Sequence, residues 1–383
     1  KHKKIKSVMQ LKFIIFILSF CYLSTASAQD KISKKEIKKA QNAYYLGDFT
    51  KAVSLFKAIL EKDENHYVAN YELGRIYLEH YNFYDSAEVH LKKTIDFPQQ
   101  DTIFETYLDY GKCLQASNKF SEAKNNYQFF LNNGLANNSF AELLRGNVEM
   151  KIKQCDFAIE TLKEEKEKSI LVKNLEGKTN TSKSEYASVY IEKSQKLLYT
   201  TRYKDAAKEK RYKDNRYFEN EYILDLSKDS TGKKLTSGEL KEIRKKHNAF
   251  VSKSYSEDTI VLYRENKLWF TKYENGAFTK PELFDDAINF SNYQPHGVFS
   301  KDGKTFIFSA RGKNGKGGLD LYQSTLDAEN KWSEAVLLDS TLNTKENEDS
   351  PFLSEDGNTL YFASKGHKGF GAYDLFKSSK VNG

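Results

Sequence analysis

The chain has 383 residues, of which 39% are hydrophobic, 30% charged and 14% aromatic, with 25 Tyr and 26 Phe against 4 Pro and 20 Gly. That is enough chain for two or three cores, and the composition excludes collagen, low-complexity disorder and a polytopic membrane protein. The formal net charge of +7 points toward nucleic acid or a membrane surface, but Lys1, Lys3, Lys4, Lys6 and Lys12 all lie within residues 1–28, which hold no Asp, Glu or Arg; without that segment the charge is +2.

Residues 1–28 read as a secretory signal peptide. A lysine-rich start precedes the apolar run Phe13 to Phe20, and Ala26-Ser27-Ala28 supplies small residues for cleavage after Ala28. The apolar run is too short to anchor the chain comfortably in a bilayer. Export leaves Cys113 and Cys155 in a compartment that permits disulfides. Both sit in helical patterns, so the alternatives are a bridge or two small buried hydrophobes.

From residue 31 to about residue 166 apolar residues recur at helical intervals, and a repeat is visible. Ala52, Ala87 and Ala123 are spaced 35 and 36 positions apart, each followed four residues later by a large side chain, Phe56, Leu91 and Tyr127. Gly74 and Gly111 fall at matching points of the second and third units; in the tetratricopeptide repeat, which this spacing resembles, the small residue there lets one helix of a pair cross the other closely. Each helical hairpin cannot bury its own apolar face, so hairpins must stack. Residues 139 to about 162, with Leu143, Leu144, Val148, Ile152, Cys155 and Phe157, read as a terminal helical cap. The aromatic residues of this half read as core, with a concave peptide groove as the functional alternative.

The charged run at 164–168 marks a changeover, and residues 167–175 read as a linker. From 176 to 383 the pattern becomes short aromatic and β-branched stretches between turn residues. Ser300 to Ser309 returns as Ser354 to Ala363, an offset of 54 that also relates Asn289 to Asn343, Asp320 to Asp374 and Phe278 to Trp332. Asp-Gly closes a hairpin in each unit, at Asp302-Gly303 and Asp356-Gly357, because glycine accepts positive φ. Weaker copies begin near Asn180 and Phe250. Four short strands per period define a propeller blade, so the expected fold is an α-solenoid followed by about four β-propeller blades, the last truncated and the ring incomplete.

The spacing of Gly74, Ala87 and Leu91 and of Gly111, Ala123 and Tyr127 resembles the tetratricopeptide repeat. Pro351 to Ser364 with Gly369 to Phe376 resembles the WD40-like PD40 repeat related to TolB. Signal peptide, tetratricopeptide-like array and PD40 blades in this order resemble an OmpA-family group of bacterial envelope proteins, some associated with type IX secretion and gliding. The resemblance implies a non-enzymatic scaffold in the periplasm, associated with the outer membrane and binding envelope proteins. Peptidoglycan would be held only through an OmpA-like domain that this chain does not contain.

No residue emerges as catalytic, cofactor-binding or metal-binding, and no cofactor is implied. Gly-x-Ser-x-Gly, a Walker loop and His-Glu-x-x-His are absent from the sequence. The run Gly312 to Gly318 lies between two strands rather than before a helix, which argues against a phosphate cradle. Asp302 and Asp356 read as turn residues bonding their own backbone, and Asp320 and Asp374 as caps for loop amides. The loop Lys204 to Arg216 is basic, but Asp205, Glu209 and Asp214 interleave with its cations, and export argues against nucleic acid. Trp269 and Trp332 could stack sugars in a glycan-binding propeller or pack between blades. A further alternative is the propeller of a secreted prolyl-oligopeptidase-like hydrolase.

Overall fold

The computed structural model describes residues 32–98, 104–134, 139–163, 173, 175, 179–181, 184–202, 219–228, 232–235 and 247–381. The segments read as a signal peptide, 1–28, and as a basic loop, 204–216, lie outside the described residues. The chain divides into two compact units, residues 1–113 and 114–383.

The first unit is helical: α1 (Lys34–Tyr45), α2 (Phe49–Lys62), α3 (Tyr67–Ile76), α4 (Tyr84–Asp96) and most of α5 (Glu105–Ala116). Side-chain caps fix the starts. Ser33 and Glu36 form a reciprocal capping box at α1, Asp48 accepts from the Lys51 amide at 3.1 Å, and His66 Nδ1 accepts from the Ala69 amide at 3.2 Å. The small residues Ala52 and Ala87 and their partners Phe56 and Leu91 are fully buried. A Cβ on Gly74 would sit 2.5 Å from Leu91 Cγ, so the close crossing of α3 and α4 requires glycine there. Past Ile76, α3 continues as a wider π turn, Tyr77–Tyr81, closed by Asn82 in the left-handed region at φ 54°.

The second unit opens with the end of α5, then α6 (Phe120–Phe129) and α7 (Ser139–Thr161). Tyr127 donates from its hydroxyl to Gln115 Oε1 at 2.7 Å, which lets a large ring be wholly buried without an orphaned O–H. The cap predicted for residues 139–162 is one long helix that buries Val148, Cys155 and Ala158, while Leu143 is 79% exposed. Cys113 and Cys155 are both buried and not bridged to each other, so they pack in the core, with Cys113 Sγ donating to the Tyr84 carbonyl at 3.2 Å. Burial pushes the Cys155 thiol up to about 11, which keeps it protonated and inert.

Four antiparallel sheets follow, arranged as propeller blades. Blade one is β1 (Glu185–Ile191), β2 (Lys196–Thr201), β3 (Asn220–Asp225) and β4 (Lys233–Lys234). Blade two is β5 (Asn248–Lys253), β6 (Thr259–Arg264), β7 (Lys267–Glu274) and β8 (Ala277–Phe278), with β9 (Glu282–Leu283) also pairing on β7. Blade three is β10 (Gly297–Phe299), β11 (Thr305–Ala310), β12 (Asp320–Thr325) and β13 (Val336–Leu337). Blade four has three described strands, β14 (Glu348–Leu353), β15 (Thr359–Ser364) and β16 (Asp374–Ser379). The extra β8 hairpin of blade two follows from Asn275-Gly276, both at positive φ, a dipeptide that favours the tight turn matching strand twist.

Alternation along each strand gives each blade two apolar faces, and successive blades bury one against the next. Val189 and Leu198 meet Phe250, Ile260 and Leu262; Val261 and Leu268 meet Phe299, Phe306 and Phe308; Val298, Ile307 and Leu321 meet Leu353, Leu360 and Phe362. One period later the same positions lie bare. Phe352, Tyr361 and Leu375 are 58%, 44% and 85% exposed, whereas Val298, Ile307 and Leu321 are 5%, 7% and 0% exposed.

The duplicated polar residues hold the blades' backbone together. Asn289 takes the Leu268 N–H at 2.9 Å and gives its amide protons to the Leu268 and Phe284 carbonyls; Asn343 does the same for Leu321 and Leu338. A buried side-chain amide thereby takes the strand N–H, and its proton adds to the backbone N–H of Phe284 or Leu338 that the Leu268 or Leu321 carbonyl also accepts. Asp302 and Asp356 accept from the amides of Lys304 and Asn358, each at 3.0 Å, and Asp320 and Asp374 accept from the Gly317 and Gly371 amides, as their placement predicted. The matching hairpin of blade two puts Glu257 at φ 60°, where the later units have glycine. Its carboxylate compensates by accepting the Glu192 and Lys193 amides of blade one at 2.8 and 2.9 Å and pairing with Lys253.

The glycine-rich connections are places of close backbone approach. A Cβ on Gly317 would lie 1.8 Å from the Glu346 carbonyl oxygen. In blade four the same connection presents Phe370 to the helices of its own unit. The ring packs 5.7 Å from that of Phe120 and 5.9 Å from that of Phe157, and its carbonyl accepts from Gln115 Nε2 at 2.8 Å.

Candidate binding site at the mouth of the blades

Antiparallel pairing brings the start of a blade's first strand, the end of its second and the start of its third to one edge. In blade one these are Tyr186, Arg202 and Glu219; in blade two, His247 just before β5 and Tyr263 near the end of β6. With Tyr293, Pro295 and His296 from the segment leading into β10, they line a cleft of about 400 Å³.

Two carboxylates organise its polar lining. Glu219, 5% exposed, accepts from Arg202 Nη2 at 2.6 Å and pairs with His247 Nδ1 at 2.9 Å. Burial pushes the Tyr186 phenol well up, and the neighbouring Glu219 charge adds to the shift. Asp349 holds His296 Nδ1 at 2.7 Å and the Ser309 hydroxyl at 2.6 Å on the same oxygen, Oδ1. Burial alone would raise Asp349, but the bonds from His296, Ser309 and the Ser350 amide outweigh it and hold the carboxyl below the usual range. The ionised Asp349 therefore fixes the His296 ring with its Nδ1 protonated.

Ser309, Asp349 and His296 are the residue types of a nucleophilic triad in a different order. In a triad the imidazole stands between serine and carboxylate so that it can take the serine proton. Here the carboxylate stands between the other two, and Ser309 is fully buried. What faces the cleft is chiefly aromatic. Tyr263 and Tyr293 meet edge to face at 6.2 Å, burial pushes the Tyr263 phenol up to about 12, and the Arg311 guanidinium lies 5.5 Å from the centre of the Tyr293 ring. Such a lining suits an apolar or aromatic segment with a few hydrogen-bonding groups.

The sequence had singled out none of these residues as a site. The available signal was positional: His247 and His296 each immediately precede an innermost strand, while Glu219 and Asp349 are distant in sequence from the groups they hold. Trp269 and Trp332, the candidate sugar stackers, pack in the sheets: Arg264 lies 4.8 Å above Trp269, and Trp332 lies 6.2 and 6.0 Å from Phe299 and Phe306. Among the described residues, no group of three or more His, Cys, Asp or Glu is placed to hold a metal, and no helix is long and apolar enough to cross a membrane.

No protein-family model matches the chain, and no curated protein matches it. Among solved structures, the chain is similar to TolB from Acinetobacter baumannii at 12% identity and a TM-score of 0.32, over 49% of this chain and 42% of that one. It is similar to a protein described as TolB from Agrobacterium tumefaciens at 11% identity and a TM-score of 0.29, over 48% of this chain and 62% of that one. An α-L-arabinofuranosidase from Lactobacillus brevis is 10% identical with a TM-score of 0.27, over 47% of this chain and 65% of that one. The chain thus spans less than two thirds of each of these proteins.

Proposed function

We propose that this chain is a non-enzymatic scaffold of the bacterial envelope that binds protein partners through its blades. The observation that carries this reading is the mouth cleft. Its acidic groups are consumed in holding Arg202, His247, His296 and Ser309, and the surface left for a ligand is a tyrosine-lined trough. That arrangement supports recognition rather than turnover.

On the same reading the leader at 1–28 exports the chain to the periplasm, the helices form a tetratricopeptide-like array, and the blades are of the PD40 kind. A place beside the outer membrane, in an assembly of the type IX secretion or gliding kind, follows from the resemblance of this domain order. Peptidoglycan contact would belong to an OmpA-like domain outside this chain, and nucleic acid is not a partner.

The test is capture from a native envelope with the wild-type chain and with Tyr263→Ala/Tyr293→Ala in parallel. Partners retained by the wild type and lost by the double variant, with both proteins equally folded by circular dichroism, support the cleft as the binding site. Identical recovery by both proteins removes it.

A further inference from the structure

Two groups stand out among the lysines of the first unit. Lys62, Lys92, Lys93 and Lys112 each pair with a carboxylate, on Glu36, Asp96, Glu64 and Asp109, at 2.7 to 3.4 Å. Lys35, Lys38, Lys39 and Lys51 are exposed, and among the described residues none of them pairs with a carboxylate. These four line one groove of about 360 Å³ together with Asn42, Ala43, Leu46 and Asp48. The spacing explains the clustering: positions 35, 38, 39, 42 and 46 fall on one stripe of α1, and Lys51 enters from the first turn of α2. Asp48, the acid of the groove, is engaged in capping α2.

A second feature adjoins this groove. The turn between α1 and α2 projects Tyr45 and Leu46 at 74% and 82% exposure, and the turn between α3 and α4 projects Phe83 at 57%. Half-buried rings connect the two turns: Tyr44 lies 5.5 Å from Tyr45, Phe49 stacks on His80 at 3.7 Å, and Tyr81 stacks on Phe83 at 5.6 Å. The apolar side chains that stand clear of the surface are therefore backed by a rigid aromatic base. Leu46 is shared with the lysine groove, while Tyr45 and Phe83 project from the turns outside its lining. A partner helix or peptide would leave their outer sides in water, whereas a lipid interface would cover them. Aromatic and aliphatic tips flanked by lysines are the chemistry that settles at the headgroup level of an anionic bilayer.

We propose that the edge of the helical unit formed by Tyr45, Leu46 and Phe83, with Lys35, Lys38, Lys39 and Lys51, docks on an anionic lipid surface. The lysines attract the headgroups and the turn residues enter the interface. The only acid in the first turn of α4, Asp85, stands beside Phe83 and sets the limit of the cationic face on that side. This inference stands apart from the reading of the blades, since it uses no residue of the mouth cleft.

The test is sedimentation of the purified chain with phosphatidylcholine vesicles containing roughly a third phosphatidylglycerol, at about 0.05 M and about 0.5 M salt. The wild type should pellet with these vesicles at low salt and much less at high salt. Lys35→Gln/Lys38→Gln/Lys39→Gln/Lys51→Gln should bind at least about tenfold more weakly. Tyr45→Ser/Leu46→Ser should also lose binding, with unchanged helicity, since all six side chains are exposed. No binding by the wild type at low salt, equal binding of either variant, equal binding to vesicles of phosphatidylcholine alone, or preference for polyglutamate over vesicles would each overturn the proposal. Should the lysine variant lose helicity, the turn variant decides.

Discussion

Leu321 and Leu375 occupy the same position of the 54-residue unit, on β12 and β16, yet one is 0% and the other 85% exposed. The pair is a controlled comparison, because residue type, strand position and turn chemistry are matched and only the covering sheet differs. Leu321→Ala deletes three buried carbons from the core shared with Leu353, Leu360 and Phe362, which costs about 2–5 kcal/mol in transfer and cavity terms. Leu375→Ala removes carbons that already face water and should cost under about 0.5 kcal/mol. Against a typical stability of about 5–15 kcal/mol, the first change shifts the folding equilibrium at least about thirtyfold and the second hardly at all. Urea unfolding followed by tryptophan fluorescence measures both, with the slope m expected to stay constant. The residues that bond Leu321's backbone are untouched, so a change in m would signal loss of the clamp rather than of packing. Equal costs at the two positions would refute the claim that burial between blades, and not the repeat position itself, is what makes these residues stabilising.

Removing the clamp itself, by Asn343→Ala, should cost about 2–4 kcal/mol in the same assay, because the Leu321 N–H and the Leu338 carbonyl lose the Asn343 side chain and the Leu321 carbonyl keeps only the Leu338 N–H; Asn343→Asp should not rescue it, since a carboxylate cannot donate. Burial pushes the Glu221 carboxyl up to about 7, so the folded state retains a proton that the unfolded chain releases near pH 4.5. Stability attributable to this group therefore falls as pH rises from about 4.5 to about 7, and Glu221→Gln should gain about 1–3 kcal/mol at pH 8 over its effect at pH 5 in thermal melts. A pH-independent effect would contradict that assignment. Phe370→Ala should leave the blades folded while costing about 1–2 kcal/mol locally, read as faster amide exchange in α7 with little change in β5–β7.

The order of helices before blades, the hairpin turns at Asp302-Gly303 and Asp356-Gly357, and the close crossing at Gly74 were all legible in the chain. Each depends on local chemistry repeated at a fixed period: a small residue where helices cross, a positive φ where strands reverse, an aspartate that bonds the amides just beyond it. The period of 54 also exposed the paired Asn289 and Asn343, although not what they hold. The Leu143 stripe shows the limit of such patterns, since a helical period gives a face but not which arc of it meets a neighbour.

The mouth cleft and the lysine groove depended on the tertiary structure. Glu219 meets His247 across 28 residues and His296 meets Asp349 across 53, joined only because successive blades set their strand edges side by side. By itself the sequence determined the kind of elements, their order and the turns between them, because those follow from interactions within a few residues or one repeat. Which of two identical leucines is buried, which carboxylate holds which histidine, and which of the many lysines remain unpaired were decided only when distant segments packed together. These properties belong to pairs of surfaces, and no single stretch of chain encodes its partner.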